Sequence, residues 1–161
     1  PPAAILAVAS AVANPASVFC EQSAGAAHTL TDSVGAAWGV CSFGPTAAVD
    51  EWTLFRASTP TGRSGGGGSS NAARSGAVAA FLNGPALGAS SNAAAAAVCA
   101  KAGAQLRKLT CAAPGCKLGA PTLDLCLFPD GSMVGADALR AGPKGAGGVA
   151  RLAAVLKGEG V

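Results

Sequence analysis

The sequence predicts an α+β fold of two small disulfide-stapled domains, each a short helix packed on a small antiparallel sheet, joined by a Gly/Ser-rich linker. Three observations support this prediction. The 161 residues include 6 cysteines, an even number. A run from Ser58 to Ser75 has almost no apolar side chains and contains four consecutive glycines. Similar landmarks occur in the same order on both sides of that run.

The linker sets the predicted boundaries. We expect a first domain with an N-terminal apolar segment at 1–57, a Gly/Ser/Ala-rich linker with room for a short helix at 58–91, a second, degenerate copy at 92–143, and a C-terminal helix or tail at 144–161.

The composition predicts thin hydrophobic cores. Hydrophobic residues make up 50% of the chain, but 40 residues are alanine, whereas Phe, Trp and Met together number 8 and Tyr is absent. Burying a Leu or Phe stabilises by roughly 1.5–3 kcal/mol and burying an Ala by far less, so each half needs another source of stability. Disulfides provide it most simply, and they indicate an oxidising compartment.

Each copy is predicted to open with a short helix. In the first copy Asn14 suits the N-cap, Pro15 the first helical position and Gly25 the C-terminal stop. In the second copy Asn92 and Gly103 take the corresponding places.

A small antiparallel sheet is predicted after each helix. The segments Trp38–Phe43 and Leu123–Phe128 alternate as half-buried strands do. Turn residues follow them, Gly44-Pro45 in the first copy and Pro129 to Ser132 in the second. The residues Asp50–Phe55 are predicted to be the returning strand of the first copy.

Three further segments are apolar. Ala77–Leu87 is expected to form a short helix stopped by Gly84-Pro85, and Gly147–Val161 has apolar residues at helical spacing, which predicts a terminal helix that docks on a domain or a partner. The run Ala3–Ala13 is either a retained secretory signal or a packed element, and it is too short to span a bilayer.

The two copies share two short motifs after their predicted helix. Each has a Cys-x-Phe motif, Cys41–Phe43 and Cys126–Phe128. Each closes with an apolar residue followed by arginine, Phe55-Arg56 and Leu139-Arg140, which lie 15 and 14 residues after the strand cysteine. Landmarks in one order indicate a tandem repeat.

The first copy also carries a family resemblance. The segments Asn14–Gln22, Trp38–Phe43 and Glu51–Arg56 read NPASVFCEQ, WGVCSF and EWTLFR. Together they resemble a small domain of unknown function, DUF family 333, whose members are often labelled haemolysins and occur in bacterial periplasmic or lipid-anchored proteins. The label does not indicate pore formation here, because the sequence has no long amphipathic segment and no membrane-spanning run.

The resemblance implies a disulfide in the first copy. Members of the family usually have two further cysteines, near the positions that Val49 and Thr59 occupy here. Their joint loss implies that those two cysteines pair with each other. Cys20 and Cys41 are then expected to form the remaining bridge.

The second copy matches the family weakly, since it lacks the Trp and the Pro after Asn92. By the repeat, Cys99 is expected to pair with Cys126. Cys111 and Cys116 lie in an insertion of this copy, and their pairing would close a small local loop.

The sequence predicts no catalytic, metal or cofactor site. His28 is the only histidine, with Asp32 four residues on, and we expect it to be a solvent-facing loop residue. The closest cysteine spacing, Cys111 to Cys116, lacks the second pair that a zinc site needs. The glycine strings lack the Gly-Lys-Ser/Thr of a phosphate loop. A net charge of +3 with 12% charged residues gives no basic stripe, so nucleic acid is not expected as a partner.

One cluster is a candidate for partner binding. Trp and Arg are enriched at binding hot spots, which makes Glu51, Trp52, Phe55 and Arg56 a candidate site. In the alternative interpretation, which we favour, Trp52 and Phe55 belong to the small core while Glu51 and Arg56 form a surface ion pair.

These observations favour a non-catalytic structural or interaction module of an extracytoplasmic protein, whether secreted, on the cell surface or in an organelle lumen. Its expected partners are proteins in a larger assembly. The alternative is a small disulfide-rich inhibitor or binder of a secreted enzyme, which would present the loop Ala112–Gly115. No Asn-x-Ser/Thr acceptor with a permitted middle residue occurs, whereas Thr59-Pro60 and Pro121-Thr122 leave O-linked sugars open.

Overall fold

Six strands form a closed barrel in the computed structural model, which describes residues 14–58, 75–84, 94–111, 118 and 120–158. They are β1 (Ala26–Thr31), β2 (Ala37–Ser42), β3 (Ala48–Asp50), β4 (Gln105–Cys111), β5 (Thr122–Leu127) and β6 (Met133–Gly135). Neighbouring strands are antiparallel, in the order β1-β2-β3-β6-β5-β4 around the barrel. Each half of the chain therefore supplies three adjacent strands.

Helices cover the outside of the barrel. They are α1 (Pro15–Gln22), α2 (Glu51–Ser58), α3 (Gly76–Asn83), α4 (Ala95–Lys101), α5 (Ala136–Ala141) and α6 (Gly148–Leu156). Both halves run in the order helix, three strands, helix, with α3 between the halves and α6 after the second. The predicted α+β class is confirmed.

The two halves interlock instead of forming two separate domains with a sheet each. Val49 of β3 faces Val134 of β6, and Thr31 of β1 faces Thr110 of β4. Both valines lie eight residues after the strand cysteine of their half, and both threonines lie eleven residues after the helix cysteine. Equivalent residues thus face each other at both junctions, which is the register that a twofold axis between the halves produces.

The shared barrel has a physical reason. A three-stranded sheet leaves two edges whose backbone N–H and C=O groups have no partner strand. Pairing each edge of one half with the corresponding edge of the other satisfies these groups and closes the sheet.

The barrel separates two apolar cores. One buried residue from each strand contributes to the inner core: Leu30, Val40, Ala48, Leu109, Leu125 and Met133. Side chains on the opposite face of the strands pack against the helices, and this outer core includes Phe19, Val49, Phe81, Val134 and Leu152. The alternation of faces along each strand therefore fills both cores at once.

The two main disulfides are confirmed. Cys20–Cys41 ties α1 to β2 with a Cα–Cα distance of 5.8 Å, and Cys99–Cys126 ties α4 to β5 with a distance of 5.1 Å. No described cysteine is free. The predicted Cys111–Cys116 bridge includes Cys116, which lies outside the described residues.

In the first half the predicted start of the helix is confirmed, but the prediction of the returning strand is wrong in part. The Asn14 side chain caps α1 by accepting a hydrogen bond from the Ala16 amide, and Pro15 is the first helical residue. The predicted strand Asp50–Phe55 is instead the end of β3 followed by α2. Asp50 Oδ2 accepts hydrogen bonds from both the amide and the hydroxyl of Thr53, at 2.9 and 3.0 Å, which caps a helix there.

The predicted glycine stops are not equivalent in the structure. The left-handed residue after α1 is Ala24, with φ 69°, and its counterpart after α4 is Gly103, with φ 85°. Gly25 serves another purpose, because a Cβ there would lie 2.5 Å from the Sγ of Cys41. It lets the chain pass close to the disulfide.

The remaining predicted helices also form. Helix α3 ends at Asn83, just before Gly84, and α6 packs on the outer core through Val149, Leu152, Val155 and Leu156, so the terminal helix docks on the domain itself. The prediction that Asn92 caps the opening helix of the second copy is wrong, because α4 begins at Ala95 and its N-cap residue is Ala94, which has no side-chain cap. Residues 59–74 of the linker and the apolar run Ala3–Ala13 lie outside the described residues.

Candidate functional site

The four residues of the predicted partner-binding cluster all lie on α2, but not on one face. Trp52 and Arg56 are exposed, Phe55 is half-buried, and Glu51 is buried with 2% exposure. Because residues four apart lie above one another on a helix, Trp52 and Arg56 share the outer face. The structure therefore divides the predicted cluster into an exposed pair and an inward-facing pair.

The exposed pair is a cation stacked on an aromatic ring. The guanidinium carbon of Arg56 lies 5.5 Å from the ring centroid of Trp52. Phe55 meets Trp52 edge-on at 5.7 Å, and Phe19 of α1 meets Phe55 edge-on at 5.9 Å. These contacts fix the orientation of the Trp52 ring, while the residue as a whole stays 37% exposed. We call Trp52 and Arg56 together the Trp52 surface.

Glu51 faces α1 and β2, so the alternative expectation of a surface ion pair with Arg56 is wrong. Its Oε1 accepts a hydrogen bond from the Ser17 hydroxyl at 3.0 Å, while its Oε2 has no hydrogen-bond partner among the described residues. Gly39 makes this placement possible, because a Cβ there would lie 2.0 Å from Oε1. Burial raises the pKa of the Glu51 carboxyl, against the hydrogen bond from Ser17, which lowers it.

His28 lies on a strand, not in the solvent-facing loop that the sequence predicted. Its Nε2 is 3.1 Å from the hydroxyl of Ser42 on the neighbouring strand, and burial lowers the pKa of the imidazole. Asp32 instead accepts a hydrogen bond from the Trp38 indole at 3.1 Å. The three side chains therefore do not form a Ser-His-Asp relay, in which the acid must orient the histidine.

The described ranges contain neither a metal-binding cluster nor a membrane-spanning helix. These ranges hold no group of three or more His, Cys, Asp or Glu side chains placed to bind a metal ion. Nor do they contain a helix whose length and apolar character would let it cross a bilayer.

The second half has no counterpart of the Trp52 surface. Counting from the end of the third strand, Asp137 takes the place of Trp52 and Arg140 that of Phe55. The predicted correspondence of Arg140 with Arg56 is therefore off by one residue. Arg140 forms an ion pair with Asp137 on its own helix.

Sequence reasoning missed several residues that shape these sites, namely Ser17, Gly39 and Ser42. Each contributes through a neighbour on another element, and only the pairing register of β1 with β2 brings Ser42 beside His28. The alternation of the two strands was the available signal, but β1 was not predicted as a strand. The loop Ala112–Gly115, proposed for an inhibitor, lies outside the described residues.

The fold and the site define a disulfide-bonded α+β barrel with an exposed aromatic and cationic surface on one helix. Residues 11–58 match a family model described as Domain of unknown function (DUF333). This match spans the first helix, the first three strands and α2, so it includes the Trp52 surface. No match was found among curated proteins or among solved structures.

Proposed function

We propose that this chain is a non-catalytic interaction module of an extracytoplasmic protein, and that it docks onto a protein partner through the Trp52 surface. The observation that carries the proposal is a tryptophan held in one orientation by Phe55 and Arg56 while 37% of it stays exposed. A ring that is already ordered loses little entropy on binding, and tryptophan is prominent among interface hot spots.

The chemistry of the surface favours a partner with a carboxylate beside an apolar contact. Arg56 has no carboxylate within ion-pair distance among the described residues. Its guanidinium interacts with the buried Asp50 carboxyl only at longer range, so it can still pair with a partner's carboxylate next to the Trp52 ring. The net charge of +3 favours approach by an acidic surface.

The compartment and the repeat belong to the same proposal. Two disulfides are typical of oxidising compartments, which supports a secreted, cell-surface or lumenal location. The same order of elements and the equivalent residues at both barrel junctions support an origin of the halves as tandem copies. The loss of the Trp52 surface from the second copy leaves the first as the docking half.

The test uses the full chain as bait in the extracytoplasmic fraction of the cells that produce it. Proteins captured by the wild type are purified, and their affinity is measured directly for wild type, Trp52→Ala and Arg56→Ala. We expect Trp52→Ala to weaken binding by about thirtyfold, the usual size for a hot-spot tryptophan, and Arg56→Ala to weaken it less.

Val34→Ala is the matched control, because Val34 is also apolar and is 84% exposed. It is expected to leave the affinity unchanged. A partner that binds Trp52→Ala as tightly as the wild type would refute the docking role of the Trp52 surface.

A further inference from the structure

A cleft of about 690 Å³ is lined by Leu118 and by three segments of the molecule. They are the turn between α1 and β1, the turn after β2, and the first turn of α6, with Ala26, Ser42, Gly44, Gly148 and Arg151 among the lining residues. We call it the Arg151 cleft. Its volume lies in the range of small-molecule sites, and it shares no residue with the Trp52 surface.

Arg151 brings a fixed positive charge to this cleft. Its Nε donates a hydrogen bond to the Ser23 carbonyl at 3.0 Å, which holds the guanidinium plane in place. Arg151 has no ion-pair partner within the described residues. Its two terminal nitrogens therefore remain for a ligand, and the guanidinium fork matches the paired oxygens of a carboxylate or a phosphate.

A second polar group faces the same space. Ser42 lines the cleft and its hydroxyl is 3.1 Å from Nε2 of His28, which orders it. Because a hydroxyl can donate and accept at once, Ser42 can contact a ligand oxygen while it keeps the contact with His28. The first turn of α6 carries no acidic side chain, so no carboxylate of that helix offsets the charge of Arg151.

We infer that the Arg151 cleft binds an anionic small molecule. A carboxylate or phosphate of the ligand pairs with Arg151, and one of its oxygens hydrogen-bonds to Ser42. The apolar wall formed by residues such as Ala26 and Pro45 covers the rest of the ligand.

The test titrates the ¹⁵N-labelled full chain with sodium phosphate and, separately, with sodium acetate, at an ionic strength held constant with sodium chloride. We expect the amide signals of Gly25, Gly44 and Gly148 to shift together and to saturate with at least one of the two anions, which also identifies the preferred group. Arg151→Gln is expected to weaken this binding by about tenfold or more.

Lys157→Gln is the matched control, because it removes the same charge at the other end of α6 and should change the affinity by less than about twofold. Ala26→Phe keeps Arg151 but fills the cleft, so it is expected to abolish the saturable shifts; it also decides the question if Arg151→Gln fails to fold. Shifts that never saturate, or that persist at full affinity in the folded variants, would overturn the inference.

Discussion

The two halves of the molecule build the same frame with different side chains. In both, a disulfide ties the first helix to the second strand, and the inner-core residues correspond pair by pair: Leu30 with Leu109, Val40 with Leu125, and Ala48 with Met133. The helices differ, because α1 and α2 begin with side-chain caps whereas α4 and α5 have none. The comparison indicates that strand alternation and disulfides define this frame, and that caps add to it locally.

The halves also differ in which element carries a carboxylate. In the first half Gly39 of β2 leaves room for Glu51 of α2. At the corresponding places the second half has Asp124 on β5 and Ala136 on α5, and Asp124 lies 3.1 Å from Lys108. A small residue and an acidic residue have thus exchanged places between strand and helix. The strand residue and the helix residue of each half must therefore fit each other in size and charge.

The largest expected effect comes from removing a disulfide. Replacing both Cys20 and Cys41 by alanine is expected to cost about 3 to 4 kcal/mol, and the same change at Cys99 and Cys126 slightly more, because the bridged residues are 21 and 27 positions apart. Free energies of unfolding, obtained from urea denaturation monitored by circular dichroism, measure both costs. Costs that differ by more than about 2 kcal/mol would show that the halves do not share one stabilising frame.

Gly39→Ala is expected to destabilise the protein by about 1–3 kcal/mol, because its Cβ would meet the Glu51 carboxylate at 2.0 Å. The control is the same change in a Glu51→Ala background, where the space is free and most of the cost should disappear. Equal costs in both backgrounds, measured as free energies of unfolding, would contradict the pairing of strand and helix residues.

Glu51→Gln is expected to raise stability at neutral pH by about 1 kcal/mol. Burial raises the pKa of Glu51 in the folded state above its ordinary value of 4.5, so the folded state binds this proton more tightly than the unfolded state does. The group favours folding below pH 4.5, and this contribution is lost as the pH rises through the raised pKa. The measurement is the free energy of unfolding of both proteins from acid to neutral pH. The stability of the variant relative to the wild type should increase as the pH rises. A difference that does not change with pH would refute the coupling between folding and protonation of Glu51.

An effect of similar size is expected at the left-handed residue after each first helix. Ala24→Gly is expected to stabilise by about 1 kcal/mol, because alanine is strained at φ 69°. Gly103→Ala should destabilise by a similar amount, because it places the same strain at φ 85°. Thermal unfolding of the two variants tests the pair, and shifts of equal sign would contradict the equivalence of the two positions.

Local signals in the sequence were sufficient for part of the fold. The Asn14-Pro15 cap and the alternating strands around Cys41 and Cys126 could be predicted from short patterns, whereas the disulfide partners of these cysteines followed from the family resemblance and the repeat. The barrel could not, because its two closing contacts join residues far apart in the chain and no short pattern specifies them. The predicted strand Asp50–Phe55 is wrong from Glu51 onward, because so short an apolar pattern does not distinguish strand from helix.

The sequence indicated which residue types form the candidate site, but not which way their side chains face. The residues that the Trp and Arg signals single out lie together on α2, yet the burial of Glu51 depends on Ser17 and Gly39, which lie on other elements. In the same way, His28 owes its place to strand pairing with β2. Which face of an element is covered is decided by packing between elements.

The symmetry of the barrel junctions has a consequence for chains that carry a single such unit. Because Val49 faces its own equivalent and Thr31 faces its own equivalent, the open edges of one half have the register to pair with those of an identical polypeptide. A single-unit chain would then close its barrel as a homodimer, whose folding depends on protein concentration. In this chain covalent linkage keeps the two halves together, so the barrel closes at any dilution.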